Sequence, residues 1–81
     1  MITEELLARY NMGSMDFFAQ IEGEENAEAA FYQTFLLKTD YVPNKIVEAQ
    51  TLGAQLDQDY TKILQARAYA RQRLSELGVG T

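Results

Sequence analysis

Apolar residues recur along this chain at intervals of three and four, which is the spacing of one face of an α-helix, and strand-like alternation is hard to find. Thr3 is predicted as the N-cap of a first helix, with Glu4 and Glu5 in a first turn where their charge complements the helix dipole. Alanine, leucine, glutamine and glutamate, all good helix formers, dominate the composition. The pattern therefore predicts an all-α chain.

Two further helices are predicted in the first half of the sequence. Ser14 is positioned to cap a short helix over residues 16–21, and Gly23 to end it. The next helix is predicted from Glu25 to Lys38, with acidic residues at its start and a cation at its end. Apolar side chains occur almost all the way round this helix, so it is expected to contact partners on more than one side, either from a central position in the bundle or with one face left for another subunit.

A fourth helix is predicted over about residues 41–52, with Asp40 as its N-cap and Gly53 just beyond its end. Pro43 then falls at the third helical position, where its missing N–H has no intrahelical partner to lose. Because a residue before proline is biased away from helical angles, the alternative start is Asn44. The predicted buried stripe consists of Val42, Ile46, Ala49 and Leu52, with Val47 beside it.

The last helix carries the strongest pattern and is predicted from an N-cap at Asp57 to about Leu77, with Gly78 beyond its end. Its apolar positions are separated by 4, 3, 4, 3, 4 and 3 residues, which is a heptad seam. The seam consists of Leu56, Tyr60, Ile63, Arg67, Ala70, Leu74 and Leu77. We expect this helix to pack antiparallel on the helix before it through the turn at Gly53.

These elements predict a small helical bundle in a single domain over residues 1–81. It comprises short N-terminal helices (1–23), an apolar helix (25–38) and a C-terminal α-hairpin (40–77, with helices at about 41–52 and 57–77). At 9.2 kDa, folding removes only roughly 60–65% of the chain's surface from water, so a lone copy is marginally stable. Since the sequence contains no cysteine, no disulfide can compensate, and we expect an oligomer or a complex with a partner.

The absence of cysteine and histidine narrows the possible chemistry. Ser-His and Cys-His nucleophiles, thiolate or imidazole metal sites and Glu-x-x-His di-metal sites all need these residues. Glu24, Glu25 and Glu28 are explained by their place in the first turn of a helix. We predict no enzyme, no catalytic residue, no metal and no cofactor. A Ser-Lys or all-carboxylate site is the remaining enzymatic alternative.

Charge is unevenly distributed along the chain, whose net charge is −5. Residues 1–40 carry a net −6 and residues 41–81 a net +1, so the two halves can attract each other, unless these charges are simply solvated helix faces. Phosphate contacts need clustered positive charge, which makes nucleic acid an unfavoured partner. The alternative function is a small regulatory or nucleic-acid-associated module that uses Arg67, Arg71 and Arg73.

Arg67 is the one charge in the heptad seam, where an unpaired charge is costly. Its long stem can carry the guanidinium along the helix to water, or the guanidinium can pair with a carboxylate of the acidic half or of a neighbouring subunit. The residues predicted to take part in interactions are Phe31, Phe35, Tyr60, Ile63, Arg67, Arg71 and Leu74.

The segment from Leu36 to Leu77 contains Thr39-Asp40-Tyr41, then a helix led by Tyr60 with Arg67 and Arg71 four residues apart and Tyr69 between them. This half of the chain resembles short helical segments of uncharacterised phage and prophage proteins, often from tail gene clusters of Firmicutes. Their usual aliphatic Leu-Glu-like ending is replaced here by Ser75-Glu76-Leu77. The resemblance implies a small accessory or structural interaction protein, and it brings no active residues with it.

The predicted function is therefore non-enzymatic interaction or assembly, with a second copy of the chain or a phage structural protein as partner. The N-terminus lacks the basic and apolar regions of a targeting segment, and no apolar run approaches the roughly 18 residues of a membrane span. We expect no membrane contact and a cytoplasmic location, or a virion-associated one for a phage structural component.

Overall fold

The computed structural model describes residues 2–53 and 58–79 of the chain. Within these ranges it contains five helices and no strand, which confirms the all-α prediction. The helices are α1 (Glu4–Arg9), α2 (Met15–Ile21), α3 (Glu25–Lys38), α4 (Val42–Thr51) and α5 (Gln58–Glu76). Across its thinnest dimension the backbone extends 15 Å, about the thickness of two helices in contact.

Side-chain caps begin the first two helices as predicted. The Thr3 hydroxyl oxygen accepts a hydrogen bond from the backbone N–H of Leu6, and the Ser14 hydroxyl oxygen accepts one from Phe17, each at 3.3 Å. Both bonds satisfy amide groups that have no partner inside their own helix. These caps fix where the short helices start.

Helix α5 ends in a Schellman motif at Gly78, which has a left-handed φ of 77°. The backbone N–H of Val79 donates to the carbonyl of Leu74 at 2.9 Å, and the N–H of Gly78 donates to Ser75 at 3.1 Å. Val79 thereby folds back against the core. Asn11, with a φ of 56°, ends α1 in the same way.

The start of α4 differs from the prediction of Asp40 as N-cap. Tyr41 is the N-cap, Val42 is the first helical residue and Pro43 occupies the second position. The bias against helical angles at Val42 is overcome because its side chain is completely buried in the core. The Thr39 hydroxyl also donates to the carbonyl of Phe35 at the end of α3, which ties down the backbone just before α4 begins.

The predicted buried stripe of α4 is only partly present. Val42 is buried and Ile46 and Ala49 are half-buried, but Leu52 and Val47 are exposed. Helix α4 packs on α5 as the C-terminal hairpin predicts, yet the most extensive contact of α5 is with α3. Helix α4 thus makes the smaller contact with α5, and its last residues are exposed.

The core gathers residues from all five helices around the contact of α3 with α5. The heptad seam of α5 faces this core, with Ile63, Ala70 and Leu74 completely buried and Tyr60 and Leu77 packed at its edge. The predicted first seam residue, Leu56, and the predicted N-cap, Asp57, lie outside the described residues. The same buried cluster contains Phe35 and Tyr32 of α3, two of the largest fully buried side chains.

Candidate interaction surface

The residues predicted to take part in interactions lie mostly inside the chain. Phe31, Phe35, Ile63 and Leu74 are buried, Arg67 is 7% exposed, Tyr60 is half-buried and Arg71 is exposed. Their burial shows that most of this set stabilises the fold of the single chain. A partner would first contact the exposed residues around them.

Arg67 is buried and does not carry its guanidinium along the helix to water, which corrects that interpretation. Among the described residues its hydrogen bonds go to a carbonyl and a hydroxyl of the same chain and not to a carboxylate of the acidic half, while pairing with a neighbouring subunit stays a prediction. Its guanidinium Nη1 donates to the backbone carbonyl of Leu36 at 2.8 Å and to the hydroxyl oxygen of Thr39 at 2.6 Å. The Thr39 hydroxyl in turn donates to the carbonyl of Phe35 at 2.7 Å. Arg67 therefore caps the C-terminal end of α3, where the helix dipole is negative and a buried cation is favoured.

The buried position also changes the pKa of Arg67. Burial, followed by the nearby charge of Arg71, lowers the pKa of Arg67 from its ordinary value. The guanidinium keeps its charge because arginine is the most basic of the side chains. Its role here is to join α5 to the end of α3.

An ion pair between Glu28 and Arg73 also joins α3 to α5, and no local pattern in the sequence predicts it. The Glu28 side chain is 1% exposed, and its Oε1 accepts hydrogen bonds from Arg73 Nη2 at 2.8 Å and Nε at 3.1 Å. Oε1 also accepts from the Tyr32 hydroxyl at 3.2 Å, and Oε2 accepts from the backbone N–H of Gly23 at 3.4 Å. Glu28 is thus a buried anchor, and its role extends well beyond the helix dipole.

These contacts set the protonation state of the Glu28 carboxyl. Burial alone pushes the pKa of Glu28 upward, but the hydrogen bonds from Arg73 and from the N–H of Gly23 outweigh it, so the pKa lies below its ordinary value. Arg73 also bonds to Glu76 at 2.8 Å and so lies between two carboxylates. The hydrogen bonds to Glu28 and then to Glu76 raise the pKa of Arg73. The ion pair is therefore formed throughout the physiological pH range.

A polar cluster at the end of α1 ties together three parts of the chain. The hydroxyls of Tyr10 and Tyr41 are 2.8 Å apart, and Arg9 Nη1 lies 3.5 Å from an oxygen of Asp59 at the start of α5. Lys38 Nζ donates to the backbone carbonyl of Tyr10 at 3.0 Å. Burial and the bond to Tyr41 raise the pKa of Tyr10, so its hydroxyl stays protonated and serves as a hydrogen-bonding group.

An open apolar groove runs between α2 and α3 and has a volume of about 370 Å³. Its walls are formed by Met12, Phe17, Ile21, Ala27, Ala30, Phe31 and Thr34. Phe17 is 47% exposed at the rim, and the α3 residues Ala27, Ala30 and Thr34 are also exposed. Among the described residues, the groove is thus an apolar concavity of the kind that binding sites have.

The exposed face of α3 continues past the groove. Leu37 follows the groove residue Thr34 by three positions, so it lies on the same helix face, and it is 72% exposed. We define the groove face as the groove together with Leu37. It combines a recess at the start of α3 with a projecting aliphatic side chain at its end.

The arginines of the alternative function do not form a common surface. Arg67 and Arg73 donate to groups within the chain, and Arg71 is the exposed member of the three. This arrangement weakens the nucleic-acid interpretation because phosphate recognition needs several accessible cations together.

Comparison with known proteins assigns no family to the chain, since no family model, curated protein or solved structure matches it. Among the described residues, no group of three or more acidic side chains is arranged to hold a metal ion. Nor do the described helices include one that is long and apolar enough to cross a bilayer.

Proposed function

We propose that this chain is a non-enzymatic interaction protein that works by assembly through the groove face. The observation that carries the proposal is the open apolar groove between α2 and α3, continued by the exposed Leu37. Single exposed apolar residues are common on protein surfaces, but a contiguous apolar concavity is a feature of binding sites.

Energetic considerations support this choice of surface. Fully burying a leucine or phenylalanine side chain contributes about 1.5–3 kcal/mol, and both Leu37 and the exposed half of Phe17 are available on this face. The groove is lined by side chains held by the core, since Ile21 and Phe31 belong both to the groove and to the buried cluster. Such a site is already formed before a partner arrives, so little ordering is needed on binding.

The partner belongs to one of two classes, a second copy of the chain or a structural protein of a phage-like particle. The second class follows from the resemblance of residues 36–77 to helical segments of phage and prophage proteins. It would place the chain on or beside a virion, whereas self-assembly is compatible with the cytoplasm. Tail or capsid genes next to the gene for this chain would support the phage-like class.

Site-specific photo-crosslinking in the source organism tests the proposal. A benzophenone amino acid at Thr34, inside the groove, is expected to form a protein adduct of defined mass. The same group at Gln65, exposed on α5, is the matched control and is expected to give none. Absence of any adduct from Thr34, or equal adducts from both positions, would refute an interaction through the groove face.

A further inference from the structure

Helix α3 carries a recess and a projection on a single face. Ala27, Ala30 and Thr34 line the apolar groove, and Leu37 stands out from the same face near the end of the helix. The spacings of 3, 4 and 3 residues are those of a helix-packing seam. A face with small residues at one end and a large one at the other fits a copy of itself that runs in the opposite direction.

We infer that the groove face binds a second copy of this chain, with the two α3 helices antiparallel about a two-fold axis near residue 32. In this register Leu37 of each copy lies against Ala27 of the other, inside the groove, and Ala30 lies against Thr34 of the other. Both copies use the same surface, as a two-fold interface requires. The inference rests on the proposed function and specifies its partner.

The charges of α3 favour a second copy in this direction. Glu24 and Glu25 lie exposed at the start of the helix, and Lys38 lies exposed at its end. Antiparallel pairing brings Glu24 and Glu25 of each copy to the end of the other where Lys38 offsets the exposed Asp40, and it opposes the two helix dipoles, whereas parallel pairing brings the four glutamates together. Lys38 Nζ has three donors and uses one on the carbonyl of Tyr10, so others remain for the partner.

The small side chains allow the two helices to approach closely. Interaxial distances between packed helices are about 8–10 Å and depend on the residues at the contact. Ala27, Ala30 and Thr34 put little bulk between the axes, so Leu37 of the second copy can reach the groove walls. Antiparallel pairing thereby covers the most exposed apolar side chain of α3 in both copies.

Sedimentation equilibrium of the full chain over a range of concentrations tests the inference. A dimer is expected, and Leu37→Lys is expected to weaken it at least about a hundredfold, because two leucines lose their burial in each symmetric dimer. Leu52→Lys is the matched control, since Leu52 is 76% exposed at the end of α4 and outside the groove face. This control is expected to leave the dissociation constant within about threefold.

Cysteine pairs determine the direction of the helices, because the natural chain has no cysteine. A mixture of Ala30→Cys and Thr34→Cys chains is expected to form a mixed disulfide under oxidising conditions. Ala27→Cys alone is expected to form none, because the two copies of residue 27 are ten residues apart along the pair, about 15 Å, beyond the reach of a disulfide. A parallel pair would instead link Ala27→Cys to itself.

Failure of this inference is distinguishable from failure of the proposed function. A chain that stays monomeric, a dimer unaffected by Leu37→Lys, or a disulfide from Ala27→Cys alone overturns the antiparallel pairing. If the Thr34 photo-adduct is then specific but does not have twice the 9.2 kDa mass of the chain, the groove face still binds a protein and the proposed function stands. If Thr34 gives no adduct, both fail.

Discussion

Replacing Glu28 by glutamine perturbs the ion pair between α3 and α5 at its buried carboxylate while conserving the shape of the side chain. The carboxylate accepts from Arg73 and Tyr32 on one oxygen and from the N–H of Gly23 on the other. A glutamine amide has one oxygen and one NH₂ group. Because every partner of Glu28 is a donor, the NH₂ group must point at another donor on one side of the site.

The size of the effect follows from these contacts. Changing a charged hydrogen-bond acceptor to a neutral one costs about 1 kcal/mol, and leaving a buried donor unsatisfied costs about 1–3 kcal/mol. We expect Glu28→Gln to lower the free energy of unfolding by about 2–4 kcal/mol. Since domains of this length have stabilities of roughly 4–12 kcal/mol, the variant should fold but lose a large part of its stability.

Urea unfolding followed by circular dichroism at pH 7 measures this difference, and its pH dependence provides a second readout. The pKa of Glu28 is lower in the folded chain than its ordinary value of 4.5. Such a group contributes stability above the pKa of the unfolded chain, and this contribution is lost as pH falls through the lower folded pKa. The natural chain should therefore lose stability below about pH 4.5, and Glu28→Gln should lose less over the same range.

Two further variants serve as the control and complete a double-mutant cycle. They are the single variant Arg73→Met and the double variant that combines Arg73→Met with Glu28→Gln. If the ion pair has the role described, the double variant loses less stability than the sum of the single variants, because the second change removes a cation already left without its partner. A change within about 0.5 kcal/mol for Glu28→Gln, the usual range for surface substitutions, would show that the reasoning about this contact is wrong.

Two further substitutions test the ends of helices. Arg67→Met keeps an apolar stem but removes the donors to Leu36 and Thr39, so we expect it to lower thermal stability by about 1–3 kcal/mol, while an unchanged melting temperature would contradict the capping role. Gly78→Ala places a side chain at a φ of 77° with no atom within 4 Å of the new Cβ, so only the backbone conformation is penalised. We expect a loss of about 1 kcal/mol in urea unfolding, and no loss would refute the left-handed end of α5.

The local features of this fold could be read from the sequence because their causes are local. The N-caps Thr3 and Ser14 and the ends at Gly53 and Gly78 depend on a few neighbouring residues. The range Glu25–Lys38 was predicted as the structure has it, since the acidic start, the basic end and the helix-forming residues between them agree. The seam of α5 is equally visible in its spacing.

The features that could not be read depend on partners distant in sequence. Glu28 and Arg73 are 45 positions apart, and nothing in the spacing of either residue indicates the other. Tyr41 replaces Asp40 as the cap of α4 because burial of Val42 overrides a local preference. The sequence indicates that α3 can leave a face open, but not which one. Because α3 is apolar almost all the way round, its open face depends on how α2 and α5 cover it.

The contact of Arg67 with the end of α3 has a consequence for distant relatives of this chain. The guanidinium binds the main-chain oxygen of residue 36, so any amino acid at that position can supply the same acceptor. Residue 39, in contrast, must keep a hydroxyl, because its side chain both accepts from Arg67 and donates to Phe35. A relative whose overall identity has drifted away could thus still be recognised by a threonine or serine just after one helix and an arginine 28 positions later.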